Sequence, residues 1–163
     1  MWPVEQGTIA LGMPLSGFHE HAARIARGTF EAASLFAHRR LPEVLSGHAR
    51  DDAHPFPAVY PHTCWPQAWS ASAVVAIVRA LVGLVPSAVH HRLFVDPRLP
   101  AWLPELTLRG LRVGAARADI RFRRVADGST TYDVLDVRGP LDVAHRHAPD
   151  AVALSTRASV EAR

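Results

Sequence analysis

The sequence predicts a mainly α-helical first part followed by an antiparallel β part. Three observations carry this expectation. Apolar residues recur at helical spacing over 19–37, a second helical stretch covers 66–82, and after Asp96-Pro97 the apolar period changes from about 3.6 to 2.

Taken in order, Trp2-Pro3-Val4-Glu5-Gln6-Gly7 runs directly into Thr8-Ile9-Ala10-Leu11, a short helix stopped by Gly12 and Pro14. The next helix, His19 to Ala37, places Ala22, Ile25, Ala26, Phe30, Ala33 and Phe36 on one face and Arg24, Arg27, Glu31 and Ser34 on the other. Ser16 is its expected N-cap, and Arg27 with Glu31 forms an i,i+4 pair. From His38 to Trp65 the period fails, interrupted by Pro42, Pro55, Pro57 and Pro61. The aromatic side chains Phe56, Tyr60 and Trp65 argue that this stretch is ordered, and long ordered loops are commonly functional.

Pro66 opens the next expected helix. Residues 68–82 are apolar on every side, so the helix is expected to be buried, with Gly83 and Pro86 ending it. A short helix is expected near Ser87 to Arg92. Beyond it, Leu106, Leu108, Leu111 and Val113 predict a strand broken at Gly110. Ala116, Ala118, Ile120 and Phe122 alternate with Arg117, Asp119, Arg121 and Arg123 as a half-buried strand. Asp127-Gly128 is a hairpin turn, and 131–138 and 141–144 complete an expected antiparallel meander. The division follows as 1–95 helical, 96–146 β, and 147–163 a frayed tail.

Composition narrows the function classes. The chain has 163 residues, 48% hydrophobic and 20% charged, which excludes disorder. All 18 basic residues are arginine, nearly balanced by 15 acids. The Arg121-Phe122-Arg123-Arg124 run is explained by strand alternation, so no nucleic-acid partner is expected. A single cysteine, Cys64, excludes an internal disulfide, suits a cytoplasmic location, and is expected to be a buried, inert thiol. No signal peptide and no membrane-length apolar run is present, so no membrane partner is expected. Of the 10 histidines, His19-Glu20-His21, His90-His91 and His145-Arg146-His147 form close pairs without zinc-site spacing, and no metal is expected.

Three clusters place aromatic rings beside a carboxylate or carboxamide near a helix end: Trp2-Pro3-Val4-Glu5-Gln6, Leu41-Pro42-Glu43-Val44 and Cys64-Trp65-Pro66-Gln67-Ala68-Trp69-Ser70. Sugar rings present apolar C–H faces and a rim of hydroxyls, and a site for them needs flat aromatic platforms with polar groups at fixed positions. The competing reading packs the tryptophans in the core and uses the acids as helix caps.

Trp2-Pro3-Val4-Glu5-Gln6-Gly7, Arg40-Leu41-Pro42-Glu43, Tyr60-Pro61 and Trp65-Pro66-Gln67-Ala68-Trp69-Ser70, with Leu99-Pro100-Ala101-Trp102-Leu103-Pro104-Glu105-Leu106 and Leu108-Arg109-Gly110-Leu111-Arg112-Val113-Gly114, resemble the end of the amylo-alpha-1,6-glucosidase domain of bacterial glycogen debranching enzymes. The resemblance spans 2–144. It implies that 1–95 is a fragment of an (α/α)6 barrel, a six-hairpin toroid of inner and outer helices, with the β segment packed on it. It implies an alpha-glucan or glucosyl-oligosaccharide substrate and a glycoside hydrolase needing no cofactor. By the same resemblance, Glu43 would take the role of general base in inverting hydrolysis. Trp65, Gln67 and Trp69 are expected to contact sugar, with Trp2 and Glu5 as further candidates. The family's general acid lies upstream of the motif that begins this chain, and neither Glu5 nor Asp51 has surroundings that would raise its pKa for that role. The chain is therefore expected to be a truncated frame or split-gene fragment, inactive alone, with the rest of the enzyme as a possible partner. A non-catalytic glucan-binding or subunit-associating remnant is the alternative.

Overall fold

A computed structural model describes residues 1–146, which form two compact units, one from Met1 to Leu81 and a second beginning at Val82. The first unit is helical. Helix α1 (Pro3–Gly12) opens with Pro at its first position, where a backbone donor would go unused anyway, and a 3-10 turn over Met13–Ser16 follows. Helix α2 (His19–Ser34) buries Ala22, Ala23, Ala26, Thr29 and Ala33. These small residues let neighbouring backbones approach closely. Helix α3 (Ala68–Val82) carries the next helical stretch, and α1 crosses it at Gly7. A Cβ added there would lie 2.6 Å from the Ala73 Cα.

Several expectations for this unit change. The cap of α2 is Phe18, which makes no side-chain capping bond, rather than Ser16, and the helix stops at Ser34 rather than Ala37. Helix α3 begins at Ala68, after Pro66. It is not buried all round: Ser70, Ala73, Ile77, Ala80, Leu81 and Val82 are buried, whereas Val75 is 61% exposed. Half-apolar alanines and an isolated valine can face water at little cost, so periodicity alone overstated the burial.

The 40–67 segment contains no α-helix and is nonetheless tied down. Leu45 and Val59 form an isolated antiparallel bridge, and the Ser46 amide donates to the Ala58 carbonyl at 2.8 Å.

In the second unit, β1 (Val85–Ser87), a 3-10 turn over Ala88–His90 and β2 (Arg92–Val95) replace the helix expected near Ser87 to Arg92. Val85 pairs Phe94 and Ser87 pairs Arg92 in antiparallel register. Leu93 and Val95 are buried on alternate positions of β2, a period-2 signal too short to separate from a helical turn by sequence alone. Gly83, at φ +60, follows α3 and lies so close to Asp96 that a Cβ would meet its carbonyl oxygen at 2.6 Å.

Strands β3 (Glu105–Val113), β4 (Ala116–Arg124) and β5 (Thr130–Arg138) form an antiparallel sheet in that order, as the alternation predicts. Ala116, Ala118, Ile120 and Phe122 of β4 are buried. Filling that face with Ile120 and Phe122 contributes roughly 1.5–3 kcal/mol for each side chain. The break anticipated at Gly110 is a register shift between Leu108 and Leu111, with Gly110 left-handed at φ +63. The last strand, β6 (Asp142–His145), departs from the expected meander and pairs parallel with β2. The second sheet therefore has the order β1-β2-β6.

The toroid expectation is overturned. Among the described residues there are three α-helices and two three-stranded sheets, which is not a fragment of a six-hairpin helical ring. A ring needs successive pairs of long antiparallel helices. Here α2 leads into an irregular proline-interrupted segment, and α3 leads into strands. No helix among the described residues is long and apolar enough to cross a membrane. The expected tail, 147–163, lies outside the described residues.

Candidate functional site

The residues singled out around Glu43 come together through backbone hydrogen bonds. Leu41 and Pro42 are buried and anchor the irregular 40–45 segment. The segment 64–70 lies beside it. The Trp65 indole Nε1–H donates to the Arg40 carbonyl at 2.9 Å, and the Gln67 amide to the Leu41 carbonyl at 3.3 Å. The buried Ser70 hydroxyl donates to the Pro42 carbonyl at 2.7 Å. From the other side, the Leu45 amide donates to the Met1 carbonyl at 2.9 Å, and the Met1 amino group to the Leu45 carbonyl at 2.6 Å.

Glu43 is gripped twice by one residue. Its amide donates to the Cys64 carbonyl at 2.9 Å, and its Oε2 accepts the Cys64 amide at 3.2 Å. The side chain is half-buried, and Oε1 has no hydrogen-bond partner among the described residues. One oxygen thus fixes the carboxylate while the other remains free to accept from a hydroxyl or a water.

The indoles are not core residues. Trp65 is 51% exposed, Trp69 45% and Trp2 39%. Trp2 meets Trp69 edge to face, centroids 6.2 Å apart at 62°, and Trp65 leans on Phe36 at 6.2 Å. The close crossing of α1 and α3 at Gly7 sets the first pair. The Trp65 N–H is consumed by Arg40, so that indole offers its face and edges rather than a donor. Gln67 uses its carboxamide oxygen on the Ala68 amide at 2.8 Å, at the start of α3, leaving its nitrogen as a donor.

Glu5 stands apart: it is exposed in the first turn of α1 and forms no hydrogen bond or ion pair among the described residues. Asp51 is occupied in a local turn, its Oδ1 accepting the His54 amide at 2.7 Å and facing His54 Nδ1 at 3.0 Å. Cys64, expected to be buried, is exposed with a free thiol. Its two backbone contacts to Glu43 were not foreseen, because a pairing across twenty-odd residues leaves no local signature. Arg40 is preceded by two non-glycine residues in the left-handed region, His38 (φ 54) and Arg39 (φ 56). Such strained backbone is sparse outside sites that need a particular direction of the chain.

No group of three or more His, Cys, Asp or Glu among the described residues is placed to hold a metal ion. No protein-family model and no curated protein matches this chain.

Proposed function

We propose that this chain carries the base side of an alpha-glucan hydrolysing site of the debranching type, with Glu43 as general base and Trp65 and Trp69 as sugar platforms. The observation that carries the reading is a half-exposed carboxylate, held by one oxygen, within a hydrogen-bonded frame that fixes the exposed Trp65 indole and is bonded to Met1 and Ser70, the neighbours of the exposed Trp2–Trp69 pair. Exposed tryptophans cost hydration free energy that a sugar face would recover, and a carboxylate with a free oxygen suits either water or a hydroxyl.

In this scheme a water donates to Glu43 Oε1. As its oxygen attacks the anomeric carbon from the face opposite the leaving group, Oε1 takes the proton and the glycosidic C–O bond breaks with inversion. A second carboxyl group, about 6.5–9.5 Å away, must protonate the departing oxygen. Among the described residues no other carboxylate is bonded into the frame around Glu43, so the acid is assigned to a residue outside it. That same observation favours a second reading, in which the frame binds glucan without cutting it.

Retardation of the protein in gels containing glycogen or amylopectin, together with maltoheptaose titration of tryptophan fluorescence, tests both readings. Binding is expected. Trp65→Ala or Trp69→Ala should each weaken it by roughly 3–10-fold, the worth of one aromatic contact. Glu43→Gln should keep binding within about 3-fold while removing any hydrolysis, since it preserves shape and loses the base. Absence of glucan binding by the wild-type chain refutes the carbohydrate reading. Where the wild-type protein, alone or complemented by the acid-bearing part, hydrolyses glucan, turnover that Glu43→Gln leaves unchanged removes the catalytic reading and leaves the binding one.

A further inference from the structure

The outward face of the β3-β4-β5 sheet breaks an ordinary rule of strand pairing. Arg112 of β3 pairs directly with Arg117 of β4, and Arg117 pairs directly with Arg138 of β5. Three guanidinium side chains therefore stand in one row across three strands, about 5 Å from strand to strand. Like charges directly opposite one another destabilise a sheet. Cross-strand acids relieve this only in part: Asp136 pairs with Arg138 of the row itself, and among the described residues no acid forms an ion pair with Arg112 or Arg117. In the next outward row Asp119 also faces a like charge, Asp136. Asp119 accepts the Gly110 amide at 2.6 Å and faces Arg109 at 3.8 Å. Asp136 accepts Arg138 Nε at 3.0 Å. Farther along, Asp133 is shared by Arg121 and Arg123. Arg112 and Arg117 have no ion-pair partner among the described residues, and Arg138, 81% exposed, uses one N–H. The two rows together hold four arginines against two aspartates.

We infer that the Arg112–Arg117–Arg138 row is a binding site for a short linear oligophosphate. Guanidinium takes two acceptor oxygens at once, and a phosphate group offers oxygens on several sides, so one group can serve two neighbouring arginines. Several linked phosphates can follow a row of this length, whereas a single carboxylate would engage one arginine and leave the others repelling. Occupancy would also cancel the repulsion built into the apo sheet. The site lies in the second unit and stands independently of the carbohydrate reading.

Thermal unfolding of the full chain at low ionic strength, with and without tripolyphosphate, tests the proposal. Tripolyphosphate is expected to raise Tm by several degrees, and orthophosphate at matched ionic strength by much less. Arg112→Gln/Arg117→Gln should raise the Tm of the unliganded protein, because the repulsion is gone, and should reduce tripolyphosphate affinity at least 10-fold. Arg27→Gln, on α2, should change neither ligand response. The proposal is overturned if tripolyphosphate produces no shift, or if the shift survives the double substitution. It is also overturned if orthophosphate does as well, or if a single-stranded oligonucleotide of equal charge binds more tightly through the same two arginines. Circular dichroism of the double variant separates loss of binding from loss of fold.

Discussion

Replacing Gly7 by alanine sets two rules against each other. In a helix interior alanine is favoured over glycine by about 0.8–1.0 kcal/mol, so a solvated α1 would gain stability. At Gly7, however, the new methyl would sit 2.6 Å from the Ala73 Cα and 3.0 Å from both its Cβ and its carbonyl oxygen. Those atoms belong to backbone or to a methyl group and cannot swing aside, so α1 and α3 must separate. Overpacking of this kind costs typically 1–3 kcal/mol, and the net expectation for Gly7→Ala is a loss of about 0–2 kcal/mol. Gly28→Ala is the matched control. Gly28 lies within α2, is exposed, and has nothing within 4 Å of an added Cβ, so it should gain about 1 kcal/mol. Urea unfolding followed by far-ultraviolet circular dichroism measures both. Tryptophan fluorescence adds an independent readout, because separating the helices should disturb the Trp2–Trp69 edge-to-face pair in Gly7→Ala only. If both substitutions stabilise alike, the close crossing of α1 and α3 is refuted.

Ser70→Ala leaves the buried Pro42 carbonyl without its donor. It should cost about 1–3 kcal/mol in urea unfolding and loosen the 40–45 segment, measured as faster amide exchange at Glu43 and Leu45. In the β4–β5 hairpin the Ser129 amide holds the Asp127 carboxyl below its ordinary pKa, aided by the Ser129 hydroxyl and by Arg124. Because the folded value is the lower one, this contribution is complete above the unfolded pKa and is lost as pH falls through the folded value. Carbon-13 titration should place Asp127 below the ordinary aspartate range. The stability difference between wild type and Asp127→Asn should narrow as the solution is acidified through that range, and a pH-independent difference would contradict the assignment.

What could be read beforehand depended on the range of the interactions. Strands β3 to β5 follow a local alternation, with Ile120 and Phe122 inward and Arg121 and Arg123 outward, and a turn that Asp127-Gly128 announces in sequence. Helix α2 shows part of its buried face in the same way, through Ala22, Ala26 and Ala33, but Ala23 and Thr29 are buried as well and Ile25 and Phe30 only partly. By contrast, β2 is only four residues long, and its partner β6 lies far along the chain, so no local pattern reveals a parallel pair. The helical ring rested on resemblance rather than on periodicity: few segments carried a helical period, and the described residues have no more helices than those segments could supply. Around Glu43, residue types were legible but their grouping was not. Glu5 shares its neighbourhood in sequence with Trp2, yet Trp2 touches Trp69 while Glu5 forms no bond among the described residues. The Cys64 contacts to Glu43 depend on how the 46–62 segment returns, which no short window encodes.

The parallel seat of β6 also shapes the order of synthesis. Leu93-Phe94-Val95 emerges with one edge covered by β1, while the opposite edge waits for Asp142–His145. At about 5–20 residues per second, the nascent chain carries that apolar strand half-paired for several seconds. Chaperone capture or a slowed ribosome over this interval would change the yield of folded protein without altering a single contact in the finished molecule.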